Sequence, residues 1–355
     1  MMGIASRYIM RYVIGATLVI FFVVLGIYLF ISLIEQINEV GQGQYGIVDM
    51  IKFVLLTAPV RVYELFPMIG LLGSLVGLGL LASHNELTVM RTAGMSVVKI
   101  AGAVLCAAIL MMIVATGIGE GLGPKLAATA QIDKVVAETG GQALQTKQGL
   151  WLRDNDNFIH IDTVLPDTSM RGITVYHFNG NQKLKKISVA SDAREIDKKW
   201  YLQNVVETNF FTRKVTNTHI GKIPWQIKFN PELFKSFSLD PRQMSLYALY
   251  VYIHYQKKNQ LNAVEYGYAF WQRILQPFSI LIMIFLGIPF VFGSLRSVPI
   301  GLRIVVGTLI GFAFFFLNQF LGYFSLVLQI PPILAAATPL IVFALLAAWL
   351  IRRAR

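Results

Sequence analysis

Long apolar runs lie on both sides of a polar middle segment of about 150 residues. Each run approaches the roughly 20 consecutive apolar residues that a helix needs to cross a bilayer core of ~30 Å. The pattern therefore predicts three membrane-spanning helices before the polar segment and three after it. Their approximate bounds are residues 13–34, 65–81, 100–119, 270–292, 304–323 and 333–351.

Within the polar segment, apolar and polar residues alternate in short runs, which is typical of half-buried strands. Strands are predicted at residues 150–153, 158–164, 172–178, 183–190, 200–206, 210–215 and 220–229. Asn179, Gly180 and Asn181 join two of them and favour a hairpin. Short strands without intervening helices indicate an antiparallel sandwich, a jelly roll or an open half-barrel. The predicted fold class is an α+β membrane protein.

The charge distribution predicts how the helices are oriented. The formal net charge is +12, and the segments on the side of the N-terminus hold nine positive residues and one acid, Glu86. Because positive residues concentrate in cytoplasmic loops, we expect both termini in the cytoplasm and the polar segment outside. The basic excess then follows topology and forms no groove-binding patch, so no nucleic-acid partner is expected.

Motifs of catalytic sites are missing from the sequence. It has no GxxxxGK(S/T) phosphate loop, no HExxH, no paired cysteines and no GxSxG. The charged residues beside the apolar runs are more informative. Arg61, Glu64, Glu120 and Arg273 lie near the predicted outer ends of the spans. They either pair with one another at the membrane surface or contact an anionic substrate there.

The second span and the segment before it carry glycine and proline signals. Gly73 and Gly77 have the GxxxG spacing that lets membrane helices pack closely. Residues 48–56 are predicted to form a helix that either lies at the membrane interface or enters the membrane, until Pro59 interrupts it.

The loop after the second span is another candidate site. Ser83 and Glu86 have capping-box spacing, which predicts a short helix within residues 83–94. Leu87 and Met90 give this helix an apolar stripe. Such a helix either docks into a soluble partner or lies on the lipid surface, and the periodicity does not distinguish these alternatives.

Motifs spread over nearly the whole chain carry a resemblance to a known family. They are Phe66-Pro67-Met68, Leu80-Leu81-Ala82, the run from Asn85 to Gly94, Ile118-Gly119-Glu120, Gln148-Gly149-Leu150-Trp151, Gln276-Pro277-Phe278 and Leu295-Arg296-Ser297-Val298-Pro299-Ile300-Gly301. In these motifs the chain resembles the LptF/LptG permeases of the lipopolysaccharide exporter. The last motif favours the LptG branch of the family over the LptF branch.

The resemblance implies six helices around a periplasmic β-jellyroll inserted between helices three and four. The expected divisions are residues 1–120 for helices one to three, with a coupling helix at 83–94, residues 121–265 for the jellyroll-like domain with helical connections, and residues 266–355 for helices four to six. The implied location is the Gram-negative inner membrane.

The resemblance also implies partners and a role. The chain would pair with the LptF paralogue, two copies of the ATPase LptB, and LptC. Lipopolysaccharide would be extracted from the outer leaflet of the inner membrane and passed to a periplasmic bridge. ATP and Mg would be held by LptB, so this chain is expected to bind no cofactor and to have no catalytic or metal site.

Site residues follow from the same resemblance. The coupling residues would be Glu86, Leu87, Met90 and Arg91, with Glu86 at the ATPase contact. Helices one and five would line the substrate cavity through Ile27, Ile31, Phe312, Phe316, Gln319, Phe320 and Tyr323. Of these, Phe312, Phe316, Gln319 and Tyr323 share one helical face.

Lys134, Arg61 and Arg273 would contact the substrate phosphates. The family carries basic residues at the outer end of helix one, where this chain has Ser32, Asn38 and Glu39. We therefore expect LptF to supply more of the phosphate contacts.

Two other functions belong to different classes. A secondary transporter would need ionisable groups near the bilayer midplane, and the predicted spans contain none there. A structural anchor that presents a β domain to a partner is the second alternative. Depleting an anchor would leave lipopolysaccharide delivery intact.

Overall fold

A computed structural model of the 355-residue chain describes residues 3–138, 150–154, 157–164, 169–179, 183–196, 199–211, 214–225, 240–259, 261–292 and 299–354. Within these ranges, six helices are long and apolar enough to cross a membrane, which confirms the prediction from the hydrophobic pattern. Residues 148–149 and 295–298, which carry parts of two family motifs, lie outside the described ranges.

The helices are α1 (Ile4–Gln36), α2 (Ile47–Ser83), α3 (Glu86–Thr92), α4 (Val97–Thr116), α5 (Gly123–Glu138), α6 (Leu246–Lys258), α7 (Val264–Phe292), α8 (Ile300–Leu328) and α9 (Pro332–Ala354). A π-helical turn at Gly117–Leu122 joins α4 to α5, so the third span continues as one helical segment to Glu138. The 37 residues of α2 measure about 55 Å at 1.5 Å per residue. Helix α2 and the continuous third span of 42 residues are therefore longer than the bilayer core requires.

A helix is present at residues 48–56, but the interruption predicted at Pro59 is wrong, because α2 continues through Pro59 and Pro67. A proline removes the hydrogen bond to the carbonyl four residues earlier. For Pro67 that carbonyl belongs to Tyr63, and the side-chain amide of Gln276 on α7 donates to it at 2.8 Å. A polar side chain from a neighbouring helix thus satisfies the backbone group that the proline leaves free.

Glycines allow α1 and α7 to approach α2 closely. A Cβ atom on Gly73 would lie 2.2 Å from Thr17 Oγ1 of α1. A Cβ atom on Gly287 of α7 would lie 2.1 Å from Ser74 Oγ. These contacts confirm that the glycine spacing in the second span serves tight helix packing, here within the chain. Helices α2 and α7 thereby become the central pair of the membrane region.

The polar segment forms an antiparallel β domain between the third and fourth spans, which confirms the α+β membrane class. Its six described strands are β1 (Leu150–Asp154), β2 (Asn157–Val164), β3 (Met170–Phe178), β4 (Leu184–Ile196), β5 (Lys199–Phe211) and β6 (Lys214–Trp225). They lie in sequence order in one sheet. Among these described strands the order is an up-and-down meander, without the Greek-key crossovers that define a jellyroll.

The strand bounds differ most from the prediction where β5 pairs with β6. The strand predicted at residues 210–215 is wrong, because Phe210 and Phe211 end β5, whereas Lys214 and Val215 begin β6 and pair with them. Residues 212–213 lie outside the described ranges. The hairpin predicted at Asn179 is confirmed by the antiparallel pairing of β3 and β4, and the Asn179 amide donates to the Lys183 carbonyl at 2.9 Å. Residues 180–182 of that turn lie outside the described ranges. Buried residues on one face of the sheet, including Ile161 and Ile173, form the core of the domain.

Candidate functional site

A groove of about 780 Å³ opens between α1 and α8, with α2 as its floor. Ile27 and Ile31 line it from α1, and Phe312 lines it from α8. These three residues are among those predicted for a cavity, so the fold brings them together. We call this feature the α1/α8 groove.

The α1/α8 groove is apolar along most of its length and polar at the end nearer the β domain. The polar residues at that end are Glu35, Gln36, Arg61 and Gln243. The apolar walls suit hydrocarbon chains, and the polar end offers hydrogen-bonding groups to a headgroup. The arrangement is that of a site for an amphiphile rather than for a small polar solute.

Only part of the predicted α8 face reaches the groove. Three predicted residues are exposed on α8 but do not line it: Phe316, Phe320 and Tyr323. Gln319 lines a separate cavity of about 30 Å³ beside Gln276. The α8 residues that do line the groove recur at every fourth position: Ile304, Thr308 and Phe312. The groove thus meets only the half of α8 nearer its N-terminus, and the substrate-cavity role of the other four residues stays a prediction.

Of the three cations predicted for phosphate contact, one lines the groove and a second contacts a groove-lining residue, Gln36. Arg61 lines it and pairs with Glu64 at 3.1 Å. Lys134 on α5 donates to Gln36 Oε1 at 2.8 Å and also forms an ion pair with Glu39. Both cations already have acidic partners within the chain. An anionic ligand would compete with those carboxylates, and the phosphate role of these residues stays a prediction.

The third cation, Arg273, lies elsewhere. Its side chain is 8% exposed, pairs with Glu120 at 2.7 Å and donates to the Arg242 carbonyl at 2.8 Å. Glu120 belongs to the π-helical turn between α4 and α5. Its guanidinium is thus used inside the protein, and the predicted contact of Arg273 with substrate phosphates stays a prediction. It joins α7 to the third span, as the alternative of mutual pairing requires.

The loop after the second span holds α3, but the helix begins differently from the prediction. Ser83 belongs to α2, and its hydroxyl donates to the Leu80 carbonyl at 2.9 Å, so it does not cap α3. Asn85 precedes α3 in the left-handed region, with φ 60°. Asparagine is one of the few residues besides glycine that adopts this conformation readily. The chain can therefore turn sharply between α2 and α3.

The two faces of α3 have different roles. Leu87 is 3% exposed within the helix core, and Met90 packs partly buried against it. Leu87 thus anchors α3 to the spans, and its role in ATPase coupling stays a prediction. The exposed residues of α3 are Thr88, Val89, Arg91 and Thr92. The sequence analysis did not single out Val89, because Leu87 and Val89 are both apolar and the sequence does not show which of them faces outward.

Glu86 is half-buried at the first turn of α3. The hydroxyl of Tyr8 on α1 lies close to its carboxylate. Because α1 also carries Ile27 and Ile31, this contact connects the loop helix to a wall of the α1/α8 groove.

Comparison with known proteins agrees with this architecture over nearly the full length. The family model described as lipopolysaccharide export system permease LptF/LptG matches residues 7–353. The chain is 34% identical over 354 residues to the lipopolysaccharide export system permease protein LptG of Escherichia coli K12, covering 99% of this chain and 98% of that protein. It is also 34% identical over 357 residues to LptG of Haemophilus influenzae Rd, covering 100% of both.

Proposed function

The chain belongs to the LptF/LptG family of lipopolysaccharide export system permeases, and on this premise we propose that it is the LptG-type subunit of an ABC transporter that extracts lipopolysaccharide from the inner membrane. The extracted lipid would pass to a periplasmic bridge. As a multi-pass permease subunit, the chain supplies the membrane path rather than the chemistry of ATP hydrolysis.

We further propose the assembly in which this path operates. LptF would pair with this chain, two LptB subunits would bind ATP and Mg on the cytoplasmic side, and LptC would receive the substrate. Both termini and α3 would face the cytoplasm, and the β domain would lie in the periplasm. The excess of positive residues in the segments on the side of the termini supports this orientation.

The α1/α8 groove is the observation that carries the proposal. Burial of acyl chain is worth about 0.8 kcal/mol per CH₂, so a lipid with several chains leaves the bilayer only if another apolar surface receives them. The apolar walls provide that surface, and the end near Arg61 provides a polar environment for the headgroup. Helices α1 and α8 are poorly covered within the chain, so the matching helices of LptF would complete the cavity.

Photo-crosslinking tests the groove directly. A photoreactive residue at Phe312 should capture lipopolysaccharide in the assembled transporter, and addition of ATP should change the yield as substrate leaves. Phe316 is the matched control, because it lies one turn further on α8 and is 64% exposed outside the groove. Equal yields at both positions would mean that the probe meets only bulk membrane lipid, and the proposed path would be rejected.

A second experiment tests the coupling role of α3. Glu86→Ala should reduce ATP-driven lipopolysaccharide release while leaving the assembled complex intact. Tyr8→Phe should reduce release by a smaller factor, because it removes the contact between α1 and Glu86 without removing the carboxylate. Val98→Ala is the control, since Val98 is also exposed near this loop but lies on α4. Normal export by the Glu86 variant would contradict the coupling assignment.

Depletion of the chain separates this proposal from a structural anchor. Lipopolysaccharide should accumulate in the inner membrane if the chain is the transport path. Unchanged delivery to the outer membrane would instead support the anchor.

A further inference from the structure

Helix α6 presents one continuous exposed face. Its exposed residues follow the i, i+3, i+7, i+10, i+11 spacing of a single helical stripe: Tyr247, Tyr250, His254, Lys257 and Lys258. Tyr247 and Tyr250 are 78% and 61% exposed, which is unusual for two tyrosines on one short helix. The 13 residues of α6 include no acid, so the stripe is aromatic at one end and basic at the other.

The opposite face fixes α6 to the start of the fourth span. Leu249 and Tyr252 are buried in a cluster with Ala269 of α7. The rings of Tyr252 and Tyr266 lie 4.1 Å apart between centroids. The hydroxyl of Ser245 accepts a hydrogen bond from the amide of Ala248 and caps the helix. The orientation of the exposed stripe is therefore set by packing.

These contacts place α6 at the level of the membrane surface. Helix α7 has 29 residues and measures about 44 Å, whereas the bilayer core needs ~30 Å. The residues of α7 that pack around α6 lie within its first two turns, between Tyr266 and Phe270. Gly267 contacts Pro332, the first residue of α9, so another span begins at the same level. Helix α6 thus lies beside the ends of two spans, where lipid headgroups are found.

We propose that the exposed stripe of α6 binds the anionic phospholipid headgroups of the leaflet on the β-domain side. Tyrosine rings favour the membrane–water interface because they combine an apolar ring with a polar hydroxyl. Lys257 and Lys258 supply positive charge at the same surface. The stripe would hold the connection between the β domain and α7 at a fixed height. This interaction does not depend on the transported substrate.

Spin-label accessibility in the assembled transporter tests the location of the stripe. The one cysteine, Cys106, is replaced by alanine, and nitroxide labels are placed at Tyr250, at Ser191 on β4 and at Phe316 on α8. In nanodiscs, the label at Tyr250 should show oxygen and nickel-chelate accessibilities between those of the aqueous Ser191 site and the lipid-exposed Phe316 site. Accessibility equal to that at Ser191 overturns the proposal. Protection from both reagents indicates a protein cover and also overturns it.

Lipid selectivity tests the chemistry of the ligand. Spin-labelled phosphatidylglycerol should associate with the transporter more strongly than spin-labelled phosphatidylcholine. The double variant Lys257→Gln/Lys258→Gln should reduce this preference by about twofold or more. Lys183→Gln/Lys185→Gln removes two exposed lysines of the β domain and is the matched control. An unchanged preference in the α6 variant, or an equal loss in the control, overturns the assignment.

Discussion

The central helices α2 and α7 differ from the flanking helices α1 and α8 in burial but not in hydropathy. The most apolar windows of α2 and α7 are 67% and 56% buried, against 11% and 17% for those of α1 and α8. Mean hydropathy is 2.1 and 2.2 for the central pair and 2.8 and 2.0 for the flanking pair. Hydropathy therefore shows that a helix is in the membrane without showing where it lies in the bundle.

The difference lies in small and polar residues. Within a bilayer, exposed apolar surface is not penalised, so helices associate through close fit and through satisfied polar groups. The central pair has both, in the glycine contacts at Gly73 and Gly287 and in the bond from Gln276 to the Tyr63 carbonyl. The flanking helices keep free apolar faces. Those faces border the α1/α8 groove and leave room for a partner.

The largest effect is expected from breaking the buried ion pair of the central region. Arg273→Met should destabilise the folded protein by about 3–5 kcal/mol, because Glu120 is left as an uncompensated buried charge. Arg61→Met at the groove should cost at most about 1 kcal/mol, since the Arg61 and Glu64 side chains are 32% and 27% exposed. Equilibrium unfolding in lipid or detergent measures both. Equal losses would remove the contrast between core and groove.

Glycine substitutions sharpen the same contrast. Gly73→Ala should destabilise by about 1–3 kcal/mol, because the new Cβ would overlap Thr17 of α1. Gly26→Ala on α1 has open space around it and should be neutral or stabilising by up to about 1 kcal/mol. The two variants are compared by thermal unfolding under the same conditions. A loss at Gly26 as large as that at Gly73 would contradict the described packing of α1 on α2.

A third comparison concerns two membrane glutamines. Gln276→Leu should cost roughly 1 kcal/mol, because the carbonyl freed by Pro67 loses its donor. Gln319→Leu on α8 should cost less, and it serves as the matched control. Unfolding free energies give the difference. If Gln319→Leu proved the more damaging, the role of Gln276 in completing α2 would be rejected.

The smallest expected effect is a pH-dependent change in the stability of the β domain, where a partly buried histidine is compared with an exposed one. Burial lowers the pKa of His177, and Lys186 lowers it further, although Glu207 partly opposes them. The folded state thus binds a proton less readily than the unfolded state, so stability is complete above the unfolded pKa of about 6.5 and falls at lower pH. His177→Gln should weaken this acid destabilisation, as measured by hydrogen exchange of β3 and β4. The exposed His219 provides the control, and an identical response from His219→Gln would refute the assignment.

The predictable parts of the fold are those with a local signal. Runs of apolar residues identified six spans, and alternation at Phe158–Val164 and Gly172–Phe178 identified strands that β2 and β3 contain. The helix interruption predicted at Pro59 was wrong because a membrane helix can accommodate a proline through contacts with other segments, which the local sequence does not reveal. The strand prediction at residues 210–215 was wrong because this segment holds the end of one strand and the start of the next, and its sequence lacks the glycine or asparagine signal of a hairpin.

The candidate site was predictable to a smaller extent. Helical spacing grouped Phe312, Phe316, Gln319 and Tyr323 on one face of α8, but which of them lines the groove depends on how α8 packs on α2. For the same reason, an apolar stripe on α3 did not tell whether Leu87 points to a partner or to the core. The charges near the outer ends could be assigned to pairs only when residues distant in sequence, such as Glu120 and Arg273, came together.

The sequence by itself determined that this chain crosses a membrane six times, carries a β domain between its third and fourth spans, and has the motifs of a permease family. These properties follow from the solvent preference of each segment and from short motifs, which are local. Only the tertiary structure decided that α2 and α7 are central, that Arg273 is a buried partner of Glu120, and that Ile27 and Phe312 border one groove. Inside a bilayer all apolar faces are equally soluble, so the packing of glycines, prolines and paired charges selects which face is buried.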